Sequence, residues 1–364
     1  MDQGRGDVLL VGSLPFDTVD KAFRAAADGL GAHALGYPDG EVGERTTWVG
    51  YLIGAVYRHH PQVEPDQPIE RVTLRQPESE EEQERFRERG PLTFHVRPGE
   101  KIRFDDLRYG TIAVESYATL QRLRDEGIAP PEVRFQASLP APNSALMAFF
   151  SDPDQWPDLF AAYTDGIRGE IDKMLAVIPP SDLVIQFDLA WEVIDMSMGE
   201  ANYFPFWPTS SPDEKWARHT ERLCDLADMV PSDTILGYHW CYGTWGGWPM
   251  SAMADLDLCV RLSNHVVSQS PRHVDYVHMP VVRQPDDAFF APLVDLSIGD
   301  TEVYLGIVHH TDGVDGFRRR AELAHRYLPR FGVSSVCGYG RVEPEELPTI
   351  LAVHRDCAAA LEHT

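Results

Sequence analysis

At 364 residues the chain exceeds a small stapled domain and suits one decorated α/β barrel or two medium domains. Its 43% apolar and 24% charged residues are those of a globular protein able to bury a core without disulfides. Lys and Arg number 32 against 57 Asp and Glu, and the resulting net charge of −25 excludes a surface built to neutralise a nucleic-acid backbone; it reads first as solvation.

The opening sequence, MDQGRGDVLLVGSLPF, has neither a long apolar core nor a signal-peptide layout, and no window is apolar over the length of a membrane span. The expectation is a cytoplasmic chain with reduced thiols. Five cysteines, an odd number without framework spacing, then stand free as metal ligands.

Short apolar runs bounded by Pro, Gly or Asp predict strands over 7–14, 33–37, 133–139, 183–190, 234–242, 274–281, 302–308 and 334–338. Apolar residues at helical spacing predict helices over 18–30, 159–177, 213–229, 254–268, 316–328 and 344–361. Alternation of this kind predicts an α/β fold, a (β/α)8 TIM barrel forming a single domain over 1–364, with a doubly wound open sheet as the alternative. The stretch between strands two and three reads as an insertion. It holds a charge-rich helix over 78–89 and a hairpin within 92–107, suggested by Pro98–Gly99. The aromatic segment GEANYFPFWPTSS, 199–211, follows strand four and reads as a lid or as a packed loop.

Catalytic groups of such barrels stand at the C-terminal ends of the strands. There this sequence places Ser13, Glu41 with Glu44 and Arg45, Gln136 and Ser138, Gln186 and Asp188, His239 and Cys241, His278 and Arg283, His309 and His310, and Cys337 and Arg341. Residues i and i+2 of a strand share a face, so His239 and Cys241 can hold one ion, with Cys337 a third ligand from across the mouth. Two thiolates and an imidazole suit Zn2+, leaving a fourth position for substrate, water or a carboxylate. The competing reading of His-x-Cys is a half-buried strand with a packed cysteine. Cys224, Cys259 and Cys357 fall within predicted helices and read as packing residues. Asp188 needs a cation or a substrate amine, unless it caps the next loop. Glu41, Glu44 and Arg45 form a binding group or a loop-internal ion pair. His309 and His310 suit proton transfer, although only one of two neighbours can face the axis. Arg283 and Arg341 could hold an anionic group.

In this order the residues resemble the uroporphyrinogen decarboxylase/methionine-synthase-like superfamily. The nearest pattern is the catalytic domain of cobalamin-independent methionine synthase, together with the epoxyalkane:coenzyme M transferases. LVGSLP at 10–15 resembles the family's opening I-G-S-F-P, IQFD at 185–188 its Q-I-D segment, HWCY at 239–242 its H-x-C-Y zinc motif, and Cys337–Gly338 its late Cys-Gly. The resemblance implies that His239, Cys241 and Cys337 bind zinc and that zinc holds a thiol as thiolate for attack on an alkyl carbon. It also implies that Asp188 binds the thiol's polar head with Ser13 close by. The sequence departs from the family at Leu189–Ala190, where Glu-Pro is missing, and at His278, the residue nearest the place of the family's fourth ligand, a Glu. The implied activity is zinc-dependent alkyl transfer, in the manner of a methyltransferase, to or from a thiol. Its partners would be a small thiol and an alkyl donor, without nucleic acid or membrane; a homo-oligomer is compatible. In this reading His309, His310 and Asp188 are catalytic, and Ser13, Glu41, Gln186, Arg283 and Arg341 bind substrate. The alternatives are a metal-independent carbon–carbon lyase or decarboxylase of the decarboxylase-like branch and a non-catalytic thiol or metal binder.

Overall fold

A computed structural model of the chain describes residues 7–67, 79, 81, 82, 84, 88 and 92–361. Ten strands form among them: β1 (Val8–Leu9), β2 (Gly36–Pro38), β3 (Val63–Pro65), β4 (Phe94–Val96), β5 (Arg134–Pro140), β6 (Leu183–Leu189), β7 (Ile235–Trp240), β8 (Tyr276–Pro280), β9 (Glu302–Val308) and β10 (Gly332–Ser335). Every residue of β6, β7 and β8 is buried, as parallel strands between an inner plug and an outer helical layer must be. Eight strands pair in the order β1-β10-β9-β8-β7-β6-β5-β2, all parallel. A parallel Val8–Ala34 bridge, with the Leu35 N–H donating to the Val8 carbonyl at 2.9 Å, brings the two edges together. The result is the expected nearly closed (β/α)8 barrel.

The main helices around the strands are Val19–Gly29, Tyr109–Asp125, Trp156–Leu175, Pro212–Thr220 followed by Leu223–Ala227, Asp257–Gln269, Gly313–Ala324 and Leu347–Leu361. Two differ from expectation. The helix expected over 213–229 breaks at Glu221–Arg222, and Tyr109–Asp125 was not foreseen, since its buried positions include Gly110 and Ser116 as well as apolar residues. Cys259 and Cys357 are buried in helices and Cys224 is partly buried in one, as packing residues should be.

The insertion between β2 and β5 is present, but its hairpin is not the expected one. Phe94–Val96 pairs antiparallel with Val63–Pro65 rather than across Pro98–Gly99, where Gly99 (φ +81°) makes only a local turn, the Glu100 N–H donating to the Arg97 carbonyl at 3.0 Å. The charge-rich run 78–89 lies outside the described residues except at 79, 81, 82, 84 and 88. The aromatic segment after β6 is a packed loop: Tyr203, Phe204 and Trp207 are buried and lean on Trp191, with ring centroids 5.3–5.8 Å apart. A fully buried Lys215 behind it reaches Asp195 at 2.7 Å, which also holds His219 at 2.8 Å.

The barrel interior is layered. Leu9, Leu35, Val184, Ile235, Tyr276 and Tyr304 form an apolar plug. One step up, Gln186 is in register with Gly237, and Gly237 with Tyr276; a Cβ at Gly237 would lie 2.0 Å from the Tyr276 ring, so only glycine leaves that ring its place. Two residues further along, Asp188 is in register with His239 and His239 with His278, so the parallel register itself assembles a polar row across three strands. No helix among the described residues is long and apolar enough to cross a membrane.

Candidate functional site

The row opens into a cavity of about 120 Å³ at the C-terminal mouth of the barrel. His239 stands near the end of β7 and Cys241 just beyond it, the Cys241 N–H donating to the Leu189 carbonyl at 2.8 Å. Register between β9 and β10 slips at Val333–Ser335 and re-aims the segment that carries Cys337. Its backbone is held by the Ser335 hydroxyl, which donates to the Cys337 carbonyl at 2.6 Å. One candidate ligand atom each from His239, Cys241 and Cys337 lies within 4.8 Å of the others. The two sulfurs are 3.8 Å apart, the edge of a tetrahedron whose bonds are about 2.3 Å.

His239 is 2% exposed; its Nδ1 lies 2.6 Å from His278 Nδ1, while its Nε2 is buried without a hydrogen-bond partner. A buried ring nitrogen left bare beside two thiols is costly unless something binds there, and an N,S,S set suits zinc rather than an oxygen-seeking ion. The residues present therefore fit the metal. The contact between the sulfurs splits the two thiols: Cys241 holds the Cys337 thiol well below its ordinary range, against its burial, while Cys241 is pushed well above it.

Two carboxyl groups face the same cavity. Glu41 is pushed up to about 7, by burial first and against the pull of Arg45. Asp188 is raised well above the carboxylate range by burial and then by Glu41. The turn Pro38–Glu41 sets Glu41 in place, with Gly40 at φ +80° and Glu41 itself at φ +51°, a conformation that L-residues rarely adopt. Asp39 stabilises it, accepting from the Glu41 N–H at 3.1 Å and from the Ser116 hydroxyl at 3.1 Å while pairing with buried Arg45. The loop-internal ion pair is thus Asp39–Arg45, and Glu44 pairs outward with Arg108 at 2.7 Å. Gln186 lies beneath the cavity. Its amide donates to Asp188 at 2.8 Å and to the Val11 carbonyl at 2.7 Å, and its oxygen accepts from the Tyr276 hydroxyl at 2.9 Å. Ser13 is clasped by the Cys337 loop, where the Tyr339 N–H donates to its carbonyl at 2.7 Å; a Cβ on Gly338 would fall 2.3 Å from its hydroxyl.

The structure thus brings Ser13, Glu41, Asp188, His239, Cys241, Cys337 and Arg341 to one cavity, with Gln186 directly below. It does not bring His309, His310 or Arg283 there. β9 ends at Val308 and the chain turns at once toward the helix Gly313–Ala324. His309 spends Nε2 on the Val281 carbonyl at 2.8 Å, and burial pushes it down to about 4, so it is neutral. His310 is exposed with its ring 6.2 Å from that of Tyr339. Arg283 is exposed, 3.9 Å from an Asp312 already clamped by Arg320. The apolar wall, including Trp48, Phe149, Trp191, Trp245 and Met250, was not foreseen. The sequence signals for it are modest: indoles directly after strands, as at Trp191, and the Gly-rich turn holding Trp245.

No family model and no curated protein matches the chain. Among solved structures it is similar to a B12-independent methionine synthase from Shewanella sp. W3-18-1 in complex with selenomethionine, with TM-score 0.51 and 13% identity over 69% of this chain and 66% of that one. A second similar structure is a putative vitamin-B12 independent methionine synthase from Listeria monocytogenes, with TM-score 0.44 and 13% identity over 71% of each chain. The chain covers just under two thirds of the length of the Shewanella protein, and at 13% identity what the two share is the barrel fold.

Proposed function

We propose that this protein is a zinc-dependent transferase that moves an alkyl group, most directly a methyl group, to or from a small thiol. The observation that carries the reading is the bare, buried His239 Nε2 beside two sulfurs at tetrahedral-edge spacing, in the mouth of a barrel. His239, Cys241 and Cys337 would hold the metal, which when bound supplies the positive charge that keeps a thiol deprotonated at neutral pH. Three protein ligands leave a position for that thiol. Glu41 and Asp188 then face its polar head and favour a positively charged group such as an amine. Ser13 and Arg341 stand ready for an anionic group. The thiolate sulfur forms the new bond to the alkyl carbon as the carrier leaves with the old bonding pair. Glu41 holds its proton to about pH 7 in the empty cavity and gives it up when the cationic head binds, at a place that His309 and His310 do not reach. The aromatic wall keeps bulk water from the reacting carbon.

The test is metal content. Wild type and Cys337→Ser are purified without chelator, and zinc is counted by mass spectrometry. About one zinc per chain is expected in the wild type and a small fraction of that in the variant, since a hydroxyl is a poor substitute for a thiolate. Full occupancy in the variant, or an active metal-free wild type, would overturn this reading and leave the lyase alternative.

A further inference from the structure

We infer that His278 is a positioning residue: it fixes the tautomer of His239 so that Nε2 presents its lone pair to the metal, and is not itself a ligand. The inference rests on the metal reading above and adds to it which atoms of this chain prepare the site.

His278, on β8, is in register with His239 on β7, and their Nδ1 atoms are 2.6 Å apart, so one proton lies between them. The other nitrogen of His278, Nε2, is 2.9 Å from the Ser335 carbonyl. A carbonyl oxygen can only accept, so this nitrogen carries a hydrogen. Were Nδ1 also protonated, His278 would be a cation. It is 0% exposed, its ring nitrogens face a carbonyl and another imidazole, and no ion pair offsets a charge on it among the described residues. An isolated buried cation is disfavoured, so His278 is neutral and its Nδ1 is a bare acceptor. The shared proton then belongs to His239 Nδ1, and in neutral His239 that leaves Nε2 with its lone pair, the atom found buried and unpartnered beside the sulfurs.

Two consequences follow. Both nitrogens of His278 are committed, so it has no lone pair for an ion. Ser335 ties the relay to the third ligand, because its carbonyl accepts from His278 while its hydroxyl holds the Cys337 carbonyl. A metal held here would have one imidazole and two thiolates from His239, Cys241 and Cys337 as its protein ligands, with none from His278.

The inference is tested in two ways. Metal-free protein labelled with 15N-histidine is examined by long-range proton–nitrogen NMR near neutral pH. His239 is expected as the Nδ1–H tautomer and His278 as the Nε2–H tautomer. Zinc affinity is then measured by competition with a chelating dye. His278→Phe keeps a ring but removes the acceptor, and should weaken binding about 10- to 100-fold. His278→Gln keeps an acceptor toward His239 and a donor toward Ser335 and should restore most of the affinity. Thermal melts of the metal-free variants report whether they fold. His239 found as Nε2–H, a folded His278→Phe with wild-type affinity, or a metal-edge spectrum counting two imidazoles would each overturn the inference. If His278→Phe does not fold, the wild-type tautomers decide. If the wild type takes up no zinc, the transferase reading fails, and the tautomers still decide the role of His278.

Discussion

Replacing Glu41 with Gln removes an ionisable group that the fold holds in its less soluble form. The residue is 8% exposed, and burial lifts its carboxyl from 4.5 to about 7 despite the nearby Arg45. At about 1.4 kcal/mol per tenfold change in proton affinity, that rise corresponds to roughly 3 kcal/mol between the two protonation states. The sign follows from linkage. The folded state binds this proton more tightly than the unfolded state, so the group costs nothing below pH 4.5, costs progressively more from 4.5 to about 7, and costs its full amount above. Glu41→Gln cannot ionise and escapes the cost. Urea unfolding of metal-depleted wild type and variant should give a stability difference that moves by about 3 kcal/mol in favour of the variant between pH 4.5 and pH 8. Glu192, also pushed up to about 7 by burial, is present in both proteins and cancels in the comparison. Asp188 adds to the effect with the same sign, since the charge on Glu41 is one of the causes raising it. A stability difference that is the same at both pH values would refute the reasoning, for it would mean that Glu41 is ionised at no cost in the folded protein.

Asp188→Asn keeps an oxygen for the Gln186 amide but loses the charge, so zinc content should hold while calorimetry shows a cationic thiol binding about 10- to 100-fold more weakly; loss of zinc would make Asp188 structural. Gly237→Ala drives a Cβ to within 2.0 Å of the Tyr276 ring and should lower stability by about 1–3 kcal/mol or more in urea, whereas an unchanged midpoint would mean that the ring is not confined. Lys215→Met strips the buried Asp195 of its closest cation and should cost about 3–5 kcal/mol, nearer the lower figure because His219 remains; a neutral result would show that the ion pair contributes nothing to the fold.

What the sequence made legible is what has a fixed period. Strands buried on both faces read as unbroken apolar runs, so β6 to β9 could be placed to within a few residues, and His239-x-Cys241 reveals a shared face because side chains alternate with period two. What it hid depends on pairing between distant segments. Phe94–Val96 pairs backward with Val63–Pro65, a choice that no local turn signal encodes. The behaviour of His278 depends on its register with His239 and on the Ser335 carbonyl, 57 residues away. His309 and His310 are suitable residues at a strand end, but nothing in a pair of neighbours tells which way the following turn leads. Trp48 reaches the cavity from a residue at φ +52°, a backbone state that composition does not announce.

The distribution of charge in the cavity narrows the kind of thiol that the transferase reading allows. Arg45, the buried cation nearest Glu41, is committed to Asp39, and Arg341 stands at the exposed rim. No ion pair of Glu41 or Asp188 occurs among the described residues, and burial holds each toward its protonated form. A cationic group entering the cavity would supply what both lack, and binding it would release protons. On the transferase reading, a metal held by His239, Cys241 and Cys337 would take a soft anionic sulfur at the other side of the same small space. The two demands are met together by one molecule carrying a thiol and an ammonium a few bonds apart, and a thiol without the amine meets only one of them. In this reading such a substrate binds more tightly as pH rises toward 7, and more steeply than a thiol lacking the amine, because it displaces a proton from Glu41 as well as losing its own thiol proton.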